Sequence, residues 1–182
     1  MSAVTTLPWG RELTVEDLDS IPDDGHRYEL IDGTLIVTPA PSKGHQRVLR
    51  GLAFALGPLV PEGHELLWAP TDVRTSRRTN LQPDLLVVTL EDADTQRVSV
   101  PPLLAAEVLS PSTRHVDVGL KRSKYEALGT PSYWVVDPDA LTVTVWELVD
   151  GRYVEAGHAE GDSPLVLERP FPVRIVPAEL VP

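Results

Sequence analysis

The sequence predicts an α/β protein: a central mixed β-sheet flanked by helices, with extra strands and hairpins toward both ends. Three observations carry this. The run Leu103–Leu109 is apolar except for one glutamate and shows no polar alternation, as in a strand covered on both faces. A helical stretch and a second such strand, Ser132–Asp137, follow it at the spacing of a right-handed crossover unit. Asp-Gly pairs at Asp32-Gly33 and Asp150-Gly151 each sit between two short apolar-rich runs, which marks a tight hairpin.

The elements follow in order. Thr14 with Asp17 three positions on starts a short helix. Arg27–Ile31 and Thr34–Thr38 are the arms of the first hairpin, and Pro39-Ala-Pro41 ends the second arm. Ser42 caps a helix running to about Leu59, with His45, Val48, Leu49, Leu52, Leu56 and Leu59 at mostly helical spacing. Glu65–Arg74 reads as a strand, Thr75–Asn80 as a polar loop, Leu85–Thr89 as a strand and Glu91–Ser99 as an exposed excursion. After the strand Leu103–Leu109, Ser112 or Thr113 caps a helix to about Leu128, stopped by Gly129 and Pro131. Ser132–Asp137 is the next strand, and Leu141–Val149 and Arg152–Ala156 form the second hairpin. The Pro-rich tail from Pro164 supplies one or two edge strands.

At 182 residues the chain suits one domain, 1–182, with a core at about 27–150. No apolar run is long enough to span a bilayer, and no basic stretch with an apolar core opens the chain, so a soluble protein without a leader is expected. The absence of cysteine excludes disulfides, thiol catalysis and thiolate metal sites, and it fits a cytoplasmic location. A net charge of −11 weighs against a nonspecific nucleic-acid binder. Local basic clusters at Arg47/Arg50, Arg74/Arg77/Arg78 and Arg114/Lys121/Arg122/Lys124 still offer patches that could steer a polyanion.

The candidate site is a set of charges where apolar residues are expected. Asp84 opens the strand PDLLVV, and Glu107 is the only charge between Arg97 and Arg114. A carboxylate in a buried strand is costly unless it is paired or holds a cation. Asp84 alone also reads as an ordinary strand-start aspartate after proline. Glu107 divides evenly between a structural salt bridge and a metal ligand. Lys121 follows Asp117 by one helical turn, the spacing of an ordinary surface ion pair, yet Asp117, Lys121 and Tyr125 form one stripe. A stripe of that composition facing a sheet suits a site better than packing. Glu29 shares a strand face with Arg27, which would satisfy it. His45 and Gln46 lie in the first turn of the long helix, where histidine is more often a surface or capping residue. The chemistry these residues suit is phosphodiester hydrolysis: carboxylates hold a divalent ion, and an ammonium orients water or offsets developing charge. No phosphate-binding glycine loop, serine-hydrolase elbow or zinc-peptidase helix is present.

The segments RYELIDGTLIVTPAPSKGHQ (Arg27–Gln46), QPDLLVV (Gln82–Val88) and AEVLSPSTRHVDVGLKRSKYEALGTPSYWVVDP (Ala106–Pro138) together resemble the PD-(D/E)xK, restriction-endonuclease-like superfamily. More narrowly, they resemble its Uma-type restriction endonuclease branch, earlier known as a domain of unknown function. The resemblance implies a restriction-endonuclease-like core and a metal-dependent endonuclease. It implies magnesium or manganese as cofactor, nucleic acid, chiefly DNA, as partner, no membrane partner, and room for a homodimer. It makes Asp84 and Glu107 the metal-binding acids and Glu29 an assisting glutamate. The superfamily's lysine normally lies two residues after the second acid, a position held here by Leu109. In this branch it is replaced by a lysine on the following helix, Lys121, with Lys124 as rival. His45 and Gln46 match a recurrent pair with no role to assign. Two other readings are an inactive nucleic-acid or protein binding module of the same fold, and a hydrolase of small phosphate esters.

Overall fold

The computed structural model describes residue 8 and residues 10–181; residues 1–7, on which the leader reading partly rests, lie outside the described residues. In chain order, α1 (Val15–Asp19) precedes the hairpin β1 (Arg27–Ile31) and β2 (Thr34–Thr38), then α2 (Lys43–Leu56). Strands β3 (His64–Trp68), β4 (Val73–Ser76), β5 (Thr79–Leu81) and β6 (Leu85–Thr89) follow, with a short helix α3 (Leu90–Ala93) before β7 (Leu104–Val108). A π-helical turn, Val116–Lys121, runs into α4 (Arg122–Leu128). The chain ends in β8 (Ser132–Asp137), β9 (Thr142–Val149), β10 (Arg152–Glu160), β11 (Leu165–Leu167) and β12 (Val173–Ile175). Among the described residues, no helix is long and apolar enough to cross a membrane.

The central sheet has six strands in the order β10-β9-β8-β7-β6-β3. It is mixed: β7 and β8 are parallel across the crossover unit, and the other neighbours are antiparallel. Strand alternation divides its side chains between two cores. Leu85, Val87, Leu104, Ala106 and Val108 meet Val48, Leu49, Leu52 and Leu56 of α2 on one face. Leu86, Val88, Ala105 and Tyr133 meet Ile31, Leu81, Val116 and Tyr125 on the other. The second face is therefore covered by α4 together with a smaller sheet, β2-β1-β5-β4, rather than by helices alone.

The first hairpin turns at Asp32 (φ 49°) and Gly33 (φ 82°), left-handed values that such a two-residue turn requires. At Gly51 the fold needs glycine for space: a Cβ there would stand 2.6 Å from the carbonyl oxygen of Leu180.

Four strand readings differ from expectation. The single strand Glu65–Arg74 is two. Pro70 cannot donate to a ladder, so β3 ends at Trp68 and β4 resumes in the smaller sheet. The expected loop Thr75–Asn80 carries most of β5, whose polar Thr79 and Asn80 are buried; the Asn80 amide is bonded to Asp72 and Arg74. The tail strands pair with each other, and their inward residues join the α2 core instead of edging the main sheet. Strand β10 continues past Ala156 to Glu160 through a bulge between Glu155 and Gly157.

Candidate active site

The site grows from strand register. Leu85 pairs with Ala106 across the antiparallel β6–β7 ladder, so Asp84, one residue before β6, faces Glu107 on β7. The amide of Val108 donates to Asp84 Oδ2 at 2.9 Å and fixes that carboxylate at the end of the ladder. Glu29 arrives from the smaller sheet on β1. Its Oε1 accepts from the amide of Gln82 at 2.7 Å, which ties the smaller sheet to the approach to β6.

The π-helical turn supplies the cation. Its wider winding carries Asp117 and Lys121 on one face, and the Tyr133 hydroxyl donates to the Asp117 carbonyl at 2.8 Å, holding the turn against β8. Lys121 Nζ lies 2.8 Å from Glu29 Oε1, 3.0 Å from Glu107 Oε1 and 3.6 Å from Asp117 Oδ1. All four side chains are almost completely buried. The Asp117–Lys121 pair therefore does have the spacing of a surface bridge, but it is not on a solvated face.

Asp84 is held separately. Arg27 Nη1 donates to Asp84 Oδ1 at 2.9 Å and to the carbonyl of Gln82 at 3.0 Å. His45 Nε2 lies 2.9 Å from Asp84 Oδ2, while His45 Nδ1 is buried without a partner. Since the carboxylate can only accept, Nε2 carries the proton of this bond. Arg27 therefore serves Asp84 and not Glu29, contrary to the expectation from strand alternation. The rival lysine, Lys124, bonds Asp32 on the hairpin turn and stands apart from the acids. Gln46 is exposed beside the cleft. A cleft of about 220 Å³ opens onto Glu29, Asp84, Glu107, Asp117 and Lys121, with Arg27 and His45 on its wall.

Burial and charge divide the acids. Burial alone would raise the Asp84 carboxyl, but the bond from His45 and the charge of Arg27 outweigh it and lower it to about 2. Burial pushes Glu107 well up; Lys121 opposes this, and Asp117, Asp84 and Glu29 reinforce it. Asp117 is raised by burial for the same reason. For Lys121 burial acts downward, yet Glu107, Glu29 and Asp117 outweigh it and raise the ammonium, so it stays charged. The cluster thus holds four carboxylates against two fixed cations, Lys121 and Arg27. Surplus buried negative charge of this kind favours a bound cation or a retained proton.

An all-oxygen set of hard donors with surplus negative charge suits a divalent ion such as magnesium or manganese. Asp84 Oδ1 has one protein donor and a free lone pair. Among the described residues, however, no three acids or histidines converge as a ready ligand set. The fit therefore lies in donor chemistry and charge, with Asp84 and Glu107 as the residues that would hold the ion.

The other basic clusters are largely consumed. Arg74 pairs with Asp19, Arg77 with Glu16, Arg78 with Glu12 and Arg114 with Asp137, and Arg122 lies over the Trp146 ring. Arg47 and Arg50 on α2 have no acidic partner among the described residues, and neither does Lys43. The structure brings Glu29, Asp84, Glu107 and Lys121 to one cleft. Sequence reasoning assigned no role to His45, although His45 sits on the apolar stripe of α2 and so had to face inward.

The family model of Uma2, described as "putative restriction endonuclease", matches residues 15–179. The chain belongs to the Uma2 family. No curated protein matches this Uma2 chain. Its structure is similar to the crystal structure of a putative nuclease belonging to DUF820 from Anabaena variabilis. The TM-score is 0.73 at 19% identity, over 92% of this chain and 97% of that one. At that identity the likeness shows a shared fold, which confirms the mixed-sheet α/β architecture. Membership of this family makes the Uma2 chain restriction-endonuclease-like.

Proposed function

We propose that this chain is a metal-dependent endonuclease that hydrolyses phosphodiester bonds, with DNA as substrate. Asp84 and Glu107 hold the metal, Glu29 assists and Lys121 acts at the scissile phosphate. The observation that carries the reading is the buried Lys121 ammonium among Glu29, Glu107 and Asp117, one strand from Asp84, on a cleft open to solvent. Buried surplus carboxylates cost stability, and chemistry on an anionic substrate gives a reason to keep them.

Bound magnesium or manganese supplies charge neutralisation at the phosphate and a more acidic water. The chain's own groups do the rest. Lys121, positively charged throughout the working range, orients the attacking water or offsets charge on the phosphoryl oxygens. Glu29 fixes the ammonium, and its bond to the Gln82 amide keeps it in place. His45 and Arg27 hold Asp84 ionised and oriented.

Cleavage of supercoiled plasmid with magnesium, with manganese and with chelator tests the reading, alongside Glu107→Gln. Metal-dependent nicking that the variant loses is the expected result; equal nicking by the variant would sink the assignment. One observation favours the inactive binding module: both oxygens of Asp84 already have protein donors. Calorimetric titration with manganese separates the two, since that module has no need to bind metal.

A further inference from the structure

We infer that the groove between α2 and β3 binds an unpaired strand of nucleic acid. Its bases stack on Phe54 and Trp68, and its phosphates run along Lys43, Arg47 and Arg50 toward the acid cluster. This rests on the nuclease reading and names the form of substrate the site takes: single strands, or duplexes opened near the cut.

Three independent observations support it. The first is aromatic exposure. The chain has 5% aromatic residues, yet Phe54 is 74% exposed and Trp68 58% exposed, and both line one pocket of about 650 Å³. Among the described residues they are the two large aromatic side chains left standing in solvent. A base has an apolar face whatever its identity, and an exposed ring at the edge of a groove is what it stacks on.

The second is charge. α2 carries Lys43, Arg47 and Arg50 and no acidic residue at all. All three are exposed, and none has an ion-pair partner among the described residues. In a chain of net charge −11 nearly every other basic side chain is spent on a neighbouring acid, so this helix is a local basic ridge beside an apolar floor. Glu65 is the one acid on the groove lining, on β3.

The third is continuity. Gln46 and Arg50 line the aromatic pocket. Gln46 also lines an adjoining pocket with Pro41, Arg27 and Asp84, and those three line the active-site cleft as well. One path therefore runs from Trp68 past Gln46 to Asp84. It gives Gln46, unassigned by sequence, a place beside the strand.

The test is fluorescence anisotropy with a labelled oligothymidylate of about twelve nucleotides, a length within the span such grooves cover, in chelator so that nothing is cut. Trp68→Ala and Phe54→Ala should each weaken binding by about fivefold or more, since each removes one stacking platform. Both positions are largely exposed, so the folded state survives truncation, and thermal melts check this. An abasic oligonucleotide of equal length should bind wild type as weakly as it binds the variants. The slope of log affinity against log salt should be about −2 for three phosphate contacts on a single strand, and shallower in Arg47→Ala/Arg50→Ala. Unchanged affinity in both aromatic variants overturns the inference, as does tighter binding of a duplex than of the single strand. So does a dimer in sedimentation that Trp68→Ala makes monomeric, because the groove would then belong to a second copy. Turnover of bis(p-nitrophenyl) phosphate by wild type with manganese keeps the two readings apart. Turnover without strand binding removes the groove and leaves the nuclease; strand binding lost in Trp68→Ala, with no turnover, does the reverse.

Discussion

Replacing Lys121 with methionine should do more than remove a catalytic group. The ammonium touches three carboxylates, at 2.8, 3.0 and 3.6 Å, in a site with almost no solvent exposure. At an effective dielectric of about 20, each contact near 3 Å is worth about 5 kcal/mol of attraction. Much of that offsets the cost of burying the lysine, and the abandoned acids can take up protons. The net loss is therefore the cost of an uncompensated buried charge, about 3–5 kcal/mol at neutral pH. For a chain of this size it lowers Tm by roughly 6–20 °C.

The sign with pH follows from the carboxylates. The raised Lys121 ammonium contributes stability that is present below its ordinary value and lost only as pH rises through its folded value. In Lys121→Met the acids lack that counter-charge and must bind protons against the unfolded chain's preference, a cost that disappears once the unfolded carboxylates are protonated too, so the gap from wild type should close below about pH 5. Glu107→Gln added to Lys121→Met should recover about 1–3 kcal/mol, because it removes one of the stranded charges. The assay is chemical denaturation of the four proteins of the cycle at pH 5 and pH 7.5. A loss under about 1 kcal/mol for Lys121→Met at pH 7.5 would refute the electrostatic account, well below what breaking a buried pair costs. No recovery in the double variant would refute it equally. Inactivity of Lys121→Met therefore identifies a catalytic lysine only if Lys121→Met/Glu107→Gln, better folded, is inactive too.

Three further predictions concern the same cluster and its surroundings. Glu107→Gln alone should abolish cleavage yet raise Tm at neutral pH: the carboxyl is raised, so its cost is absent below its unfolded value and grows as pH rises through the folded one. A Tm gain that does not widen between pH 5 and pH 8 in thermal melts would count against it. Asp84, lowered from 3.8 to about 2, contributes about 2 kcal/mol above pH 4 and loses it as pH falls toward 2. Asp84→Asn should thus flatten the acid limb of the stability profile, measured by denaturant midpoints between pH 2 and pH 5. Arg77→Ala and Arg78→Ala should leave DNA affinity within about twofold by anisotropy, because those guanidiniums are paired with Glu16 and Glu12 rather than offered to a phosphate.

Most of the fold was legible where local chemistry and tertiary structure agree. The Asp32-Gly33 turn and the Ser42 cap on the His45 amide follow from residues within a few positions of each other, and the β7–β8 crossover from two apolar strands either side of a helical stretch. What was not legible depends on distant partners. Thr79 and Asn80 read as loop because they are polar, yet both are buried in a strand, where Asp72 and Arg74 satisfy the Asn80 side chain. Arg74, Arg77 and Arg78 read as a polyanion patch because the acids that neutralise them, Asp19, Glu16 and Glu12, lie some 60 positions away in sequence. In the site, Asp84 and Glu107 could be found from their apolar neighbours in sequence, whereas the His45–Asp84 bond needed the packing of α2 on the sheet.

The π-helical turn explains how a lysine beyond β7 reaches an acid on β7. Leu109, two residues after Glu107, is a buried core residue and offers the site no charge. Lys121 must therefore reach Glu107 from the far side of a connection, with Asp117 brought along on the same face. A regular helix rotates residues four apart by 40° around its axis, whereas a wider turn keeps them closer to one line. The Tyr133 hydroxyl on the Asp117 carbonyl locks that local winding to the sheet. Leu109 and the π turn thus divide the work: the chain after Glu107 gives a leucine to the core, and the wider turn brings Lys121 back onto Glu107.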